Sequence, residues 1–126
     1  MATILVIDDN HAVRRLASKI LTGAGHTVHE AEDGRRGLAC LRKIRPDLVV
    51  TDMIMPDAEG IETIRAIRSE TPTTPILAIS GSGEIYLRLA TQLGATAALE
   101  KPFAPEALRQ HVNDLLAETG TPLKPS

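Results

Sequence analysis

The sequence predicts a single α/β domain in which five strand–helix units build one parallel sheet. Three observations lead there. Short runs of Ile, Leu, Val and Ala recur along the chain, the clearest being ILVI before Asp8, LVVT before Asp52 and ILAI before Ser80. Unbroken apolar runs are what a strand buried on both faces requires. Between them lie stretches with apolar residues at helical spacing, and Gly or Pro stands at the joints. Strands alternating with helices in this way imply parallel pairing through right-handed crossovers.

Thr3–Asp8 is the first strand. Asn10 is a helix N-cap, and His11–Thr22 puts Ala12/Val13, Leu16/Ala17 and Ile20/Leu21 on one stripe, which Gly23 and Gly25 end. Thr27–Ala31 is a short second strand. Asp33-Gly34 makes a turn into a second helix marked by Leu38, Leu41 and Ile44, and Arg45-Pro46 stops it. Leu48–Asp52 is the third strand, followed by the loop MIMPDAEG. Ile61, Ile64 and Ile67 mark a third helix, closed by TPTTP. Ile76–Ser80 is the fourth strand. A Ser/Gly loop leads to a fourth helix of about ten residues through Leu93, which Gly94 ends. Ala97–Glu100 is a weak fifth strand, with Lys101-Pro102 after it. Pro105 suits a helix first turn, and Leu108, Val112, Leu115 and Leu116 line the last helix. The domain is expected over residues 1–119, with 120–126 a disordered tail.

Composition narrows the function classes. At 126 residues with 43% hydrophobic and 24% charged residues, the chain is an ordinary globular domain. Aromatic residues are only 2%, so the core must be aliphatic. A net charge of -2 carries no basic footprint, so direct nucleic-acid binding is not expected. No apolar run approaches the roughly 20 residues of a membrane span. The N-terminus has no basic region before its apolar stretch, so no signal peptide is expected, and a cytoplasmic location is. Cys40 is the sole cysteine, the pattern of a buried thiol in a reducing compartment. The glycines form neither a dinucleotide fingerprint nor a Walker loop. His11, His26, His29 and His111 lack metal-ligand spacing.

The polar residues that end the apolar runs carry the chemistry. Ligands of open parallel sheets bind outside the carboxyl ends of the strands. Asp8-Asp9, Asp52, Ser80 and Lys101 all fall at such ends. Three carboxylates brought together repel unless a cation joins them, and an all-oxygen set suits Mg²⁺. A carboxylate can also accept a phosphoryl group. Lys101 can neutralise that group, and the Ser80 hydroxyl can hydrogen-bond it. Taken singly, an acid at a strand end is a turn former or cap, Ser80 a loop residue and Lys101 a solvated charge. Their joint occurrence at consecutive strand ends is what those readings fail to explain.

With ILVIDDN at 4–10, PDLVVTDMIMPDAEG at 46–60, PILAISG at 75–81 and GATAALEKPF at 94–103, the chain resembles the receiver domain of two-component response regulators, over nearly its whole length. The resemblance implies a flavodoxin-like (βα)5 sandwich, its parallel sheet ordered 2-1-3-4-5 with helices on both faces. It implies that Asp52 accepts the phosphoryl group and that Asp9 binds Mg²⁺ directly and Asp8 more through water. The backbone carbonyl of Ile54 would be a further metal ligand. Ser80 would move toward the phosphoryl group, Lys101 would pair with it, and the Lys101–Pro102 peptide would be cis. Pro56 and Gly60 match the family's loop. The implied partners are a sensor histidine kinase or histidine phosphotransfer protein, and a downstream protein on the face of helix 4, strand 5 and helix 5. Association of two copies is left open.

One position departs from the pattern. Receiver domains commonly carry Tyr or Phe three residues before the lysine, and here Ala98 stands there. Two rival readings accordingly accompany the switch: a protein-interaction module of this fold that does not switch, and the N-terminal receiver of a longer regulator, since the sequence itself is expected to hold no output domain. A small-molecule phosphatase would need a cap or substrate pocket for which this length offers no sequence. The domain is thus expected to be a signalling switch rather than an enzyme.

Overall fold

The structure is a computed structural model that describes residues 2–52, 59–81 and 84–118. Five strands and five helices alternate through it: β1 (Thr3–Ile7), α1 (His11–Gly23), β2 (Thr27–Ala31), α2 (Gly34–Ile44), β3 (Leu48–Asp52), α3 (Glu59–Glu70), β4 (Ile76–Ser80), α4 (Glu84–Leu93), β5 (Ala97–Glu100) and α5 (Pro105–Glu118). All strand pairs are parallel, in the order β2-β1-β3-β4-β5. This is the flavodoxin-like architecture expected of the sequence.

Strand alternation divides the core in two. Ile4, Val6, Leu48, Val50, Leu77 and Ile79 point to one face, where Ala17 and Leu21 of α1 and Leu108, Val112 and Leu116 of α5 cover them. Leu5, Ile7, Val49, Ile76 and Ala78 point to the other, under Leu41 of α2, Ile64 and Ile67 of α3 and Ala90 of α4. The central strands β3 and β4 are buried at every residue, whereas β2 and β5 at the edges are mostly half-buried. That is why their sequences, TVHEA and AALE, are the least apolar of the five. At Gly37, α2 lies so close to β1 that a Cβ would run into the Ile7 side chain.

The helix ends follow local chemistry. Asn10 caps α1 by accepting the Val13 amide at 3.0 Å, and α1 includes Gly23 before Gly25, at φ +99°, turns the chain. Asp33 serves as the N-cap of α2, accepting the Arg36 amide at 2.8 Å, so the expected Asp33-Gly34 turn is the start of the helix. Arg45, at φ 48°, closes α2. Gly94, at φ +125°, follows α4 in the left-handed region that glycine tolerates. β1 stops one residue earlier than its sequence suggests. The Asp8 amide still donates to the Ala31 carbonyl at 3.1 Å, but the Asp8 carbonyl has turned to a side chain on α1.

Candidate functional site

Parallel strands point the same way, so the carboxyl ends of β1, β3, β4 and β5 share one edge of the sheet. Asp52 is the last residue of β3 and Ser80 the last of β4. Asp8 follows β1 directly, and Lys101 follows β5. Asp8 (2% exposed), Asp52 (3%) and Ser80 (0%) are buried, and Asp9 is exposed. One ligand oxygen from each of Asp8, Asp9 and Asp52 can be chosen so that all lie within 4.8 Å of one another. The Lys101 ammonium reaches Asp52 Oδ2 at 3.4 Å and Asp8 Oδ2 at 3.5 Å.

Each group is held by local structure. Asp8 Oδ1 accepts the Asn10 amide at 2.8 Å, leaving Oδ2 toward Lys101. The Lys101 amide donates to the Ser80 carbonyl at 2.7 Å, tying the ends of β4 and β5 together, and the Lys101–Pro102 peptide is cis. Three carboxylates and one ammonium leave two formal negative charges. An oxygen set of that charge, partly buried and partly open through Asp9, is compatible with a hard divalent cation such as Mg²⁺. Among the described residues, the only group of three or more His, Cys, Asp or Glu close enough to share an ion is this one.

All five side chains singled out from the sequence therefore lie at one edge. Ile54 and Pro56 lie outside the described residues, as do residue 119 and the expected tail, 120–126. Ala98 lies on β5 beside Ala78 of β4, half-buried against the α2–α3–α4 side of the core. The histidines do not join the site through a shared cluster among the described residues. His26 is buried and its Nδ1 accepts the Ala2 amide at 3.1 Å. Burial, aided by the N-terminal amine, pulls its pKa below the usual histidine value. His111 Nδ1 contacts the Ala107 carbonyl at 2.9 Å within α5.

Two features next to the site were not legible from the sequence. An apolar groove of about 420 Å³ opens beside Lys101, lined by Val13, Leu16, Gly81, Pro102 and Phe103, and Leu16 stands 48% exposed in it. Behind the acidic pair, the Arg14 guanidinium donates to the Asp8 carbonyl at 2.8 Å and pairs with Glu30 at 3.1 Å. Glu30 also takes Arg15 at 2.6 Å. Burial by itself would raise the Glu30 carboxyl, but hydrogen bonds from Ser18, Arg15 and Arg14 and the Arg15 charge outweigh it and hold the group below the usual carboxylate range. Arg14 and Glu30 are 16 positions apart, and in the sequence each reads as an ordinary surface charge.

Comparison with known proteins gives one consistent result. The family model for the response regulator receiver domain matches residues 4–113. The response regulator MprA of Mycolicibacterium vanbaalenii is 39% identical over 117 residues, which is 92% of this chain and 51% of that protein. Its namesake from Mycobacterium ulcerans is 38% identical over the same length, 92% of this chain and 50% of its own. The chain thus spans about half the length of these relatives. Among solved structures, the chemotaxis response regulator CheY4 of Vibrio cholerae superposes with a TM-score of 0.84 at 36% identity, covering 92% of this chain and 99% of that one. NtrX of Brucella abortus superposes at 0.90 with 31% identity, covering 94% of this chain and 28% of that one. No helix among the described residues is long and apolar enough to cross a membrane.

Proposed function

The chain belongs to the response regulator receiver domain family, and we propose that it is a phosphoryl-accepting signalling switch with Asp52 as the acceptor. The supporting observation is the meeting of Asp8, Asp9 and Asp52 within 4.8 Å, with Lys101 inserted between two of them. An Asp52 oxygen attacks the phosphorus of a phosphohistidine on a sensor kinase or histidine phosphotransfer protein. The O–P bond forms as the P–N bond breaks, and the imidazole leaves with the electron pair and takes up a proton. Bound Mg²⁺ would supply the neutralisation that phosphoryl transfer requires. Asp9 would hold it directly and Asp8 largely through water, with the Ile54 carbonyl as a further ligand. Lys101 pairs with the new phosphoryl oxygens, and the Ser80 hydroxyl donates to one of them. The groove beside Lys101 offers the donor protein an apolar seat at the mouth of the site.

Those contacts favour one of two conformations, which is the physical content of the switch. The output surface is the α4–β5–α5 face, where a downstream protein binds. Ala98 leaves that route without the ring that receivers commonly use. The half-length match to MprA supports a place at the head of a longer regulator as a second reading.

Incubation with Mg²⁺ and acetyl phosphate, followed by intact-mass measurement, tests the acceptor. One phosphoryl adduct is expected, absent in Asp52→Asn. No adduct on the wild type, or one that persists in Asp52→Asn, overturns the reading. The output surface is tested by adding a beryllofluoride mimic and following amide shifts. If α4, β5 and α5 stay still while the site residues shift, the non-switching reading replaces this one.

A further inference from the structure

We propose that Arg14 is a positioning residue for the acidic pair, holding the Asp8–Asp9 peptide in the orientation that lets both carboxylates serve one cation. The proposal rests on the function proposed above. Its ground is how completely residue 8 is tied. The Asp8 amide donates to Ala31 on β2, and its carboxylate accepts the Asn10 amide and meets Lys101. Its carbonyl takes the Arg14 guanidinium at 2.8 Å. A peptide plane is rigid, so fixing the Asp8 carbonyl also sets the direction in which the chain departs to Asp9.

The guanidinium is itself clamped. Its Nε pairs with Glu30 Oε1 at 3.1 Å, and another of its nitrogens lies 2.9 Å from His11 Nδ1. The Arg14 side chain is only 13% exposed and Glu30 21%. Three separate groups are thus engaged by one planar fork, which a lysine ammonium does not reproduce. Residues that orient metal ligands without touching the metal commonly control its affinity.

The alternative is a plain α1–β2 ion pair, and the sign of one measurement separates the two. Arg14 is a cation close to a cation site. If only its charge mattered, Arg14→Ala would bind Mg²⁺ more tightly and Arg14→Lys would bind it as the wild type does. If Arg14 orients the pair, both variants bind more weakly, Arg14→Ala by about tenfold.

The experiment titrates Mg²⁺ into ¹⁵N-labelled full chain and follows the amides flanking the site, with thermal unfolding of the Mg²⁺-free proteins alongside. Arg42→Ala is the control, because it breaks the bidentate Arg42–Glu70 pair away from the site. It is expected to leave Mg²⁺ affinity unchanged. Weaker binding by folded Arg14→Ala and Arg14→Lys supports the assignment. Wild-type or tighter binding by either one overturns it while leaving the proposed function standing. A wild type that takes up no Mg²⁺ sinks both. Should Arg14→Ala fail to fold, Arg14→Lys decides alone.

Discussion

Asp9→Asn offers a sharp test of the site, because its effect on stability should reverse with Mg²⁺. Chosen oxygens of Asp8, Asp9 and Asp52 lie within 4.8 Å of one another. At that spacing two unit charges repel by about 3.5 kcal/mol for an effective dielectric of 20. Asp9 is exposed, so solvent screening reduces each of its two repulsions to about 1 kcal/mol or less. Among the described residues its removal breaks no ion pair, since Lys101 contacts Asp8 and Asp52. The Mg²⁺-free variant should therefore be more stable than the wild type by up to about 2 kcal/mol, or up to about 8 °C in melting temperature for a domain of this size. Mg²⁺ should then stabilise the wild type by mass action and do little for the variant, so the curves cross. The assay is thermal unfolding by circular dichroism, once with chelator and once with excess Mg²⁺. A variant no more stable than the wild type in chelator, or one that keeps the full Mg²⁺ shift, would refute the reasoning.

Two further predictions concern the amino-terminal edge of the sheet, opposite the site. Arg68 donates to the carbonyls of Thr71, Pro72, Thr74 and Gly94, joining the end of α3 to the loop before β4 and the turn after α4; Arg68→Ala should cost about 2–4 kcal/mol in urea unfolding, and a loss within the ±0.5 kcal/mol of ordinary surface changes would show the staple to be idle. The depressed pKa of His26 favours its neutral form in the folded state, so its contribution is complete above the unfolded value near 6.5 and is lost as pH falls toward the folded one. Unfolding free energies from urea titrations should then decline below about pH 6.5, by at most about 1.4 kcal/mol per pH unit for this one group, and His26→Gln should flatten that decline; an equal slope in the variant would assign it to other groups.

The strands of the central sheet were legible because burial on both faces demands unbroken apolar runs, and LVVTD and ILAIS supply them. Their polar last residues stood out for the same reason. The edge strands were harder, since a half-solvated strand such as AALE needs little apolar character. Asp33 was read as a turn residue although it caps α2, because the same side-chain acceptor serves both roles. Asp8 was placed inside β1, whereas its carbonyl belongs to Arg14. A sequence period reports which face a residue takes, not which distant donor its carbonyl meets.

The order of residues along the chain determined the alternation of strands and helices, the aliphatic core and the list of five polar groups at the strand ends. Those follow from local propensity and from the hydrophobic pattern, which are properties of neighbouring residues. The 2-1-3-4-5 arrangement seen in the structure converts that list into a cluster. It places Lys101 at 3.5 Å from Asp8, 93 positions away in the chain, and brings Glu30 of β2 to Arg14 of α1. The clamp behind the acidic pair and the groove beside Lys101 belong wholly to the tertiary structure. Each depends on side chains whose separation in space is set by packing, and charge and hydrogen bonding act over ångströms rather than along the sequence.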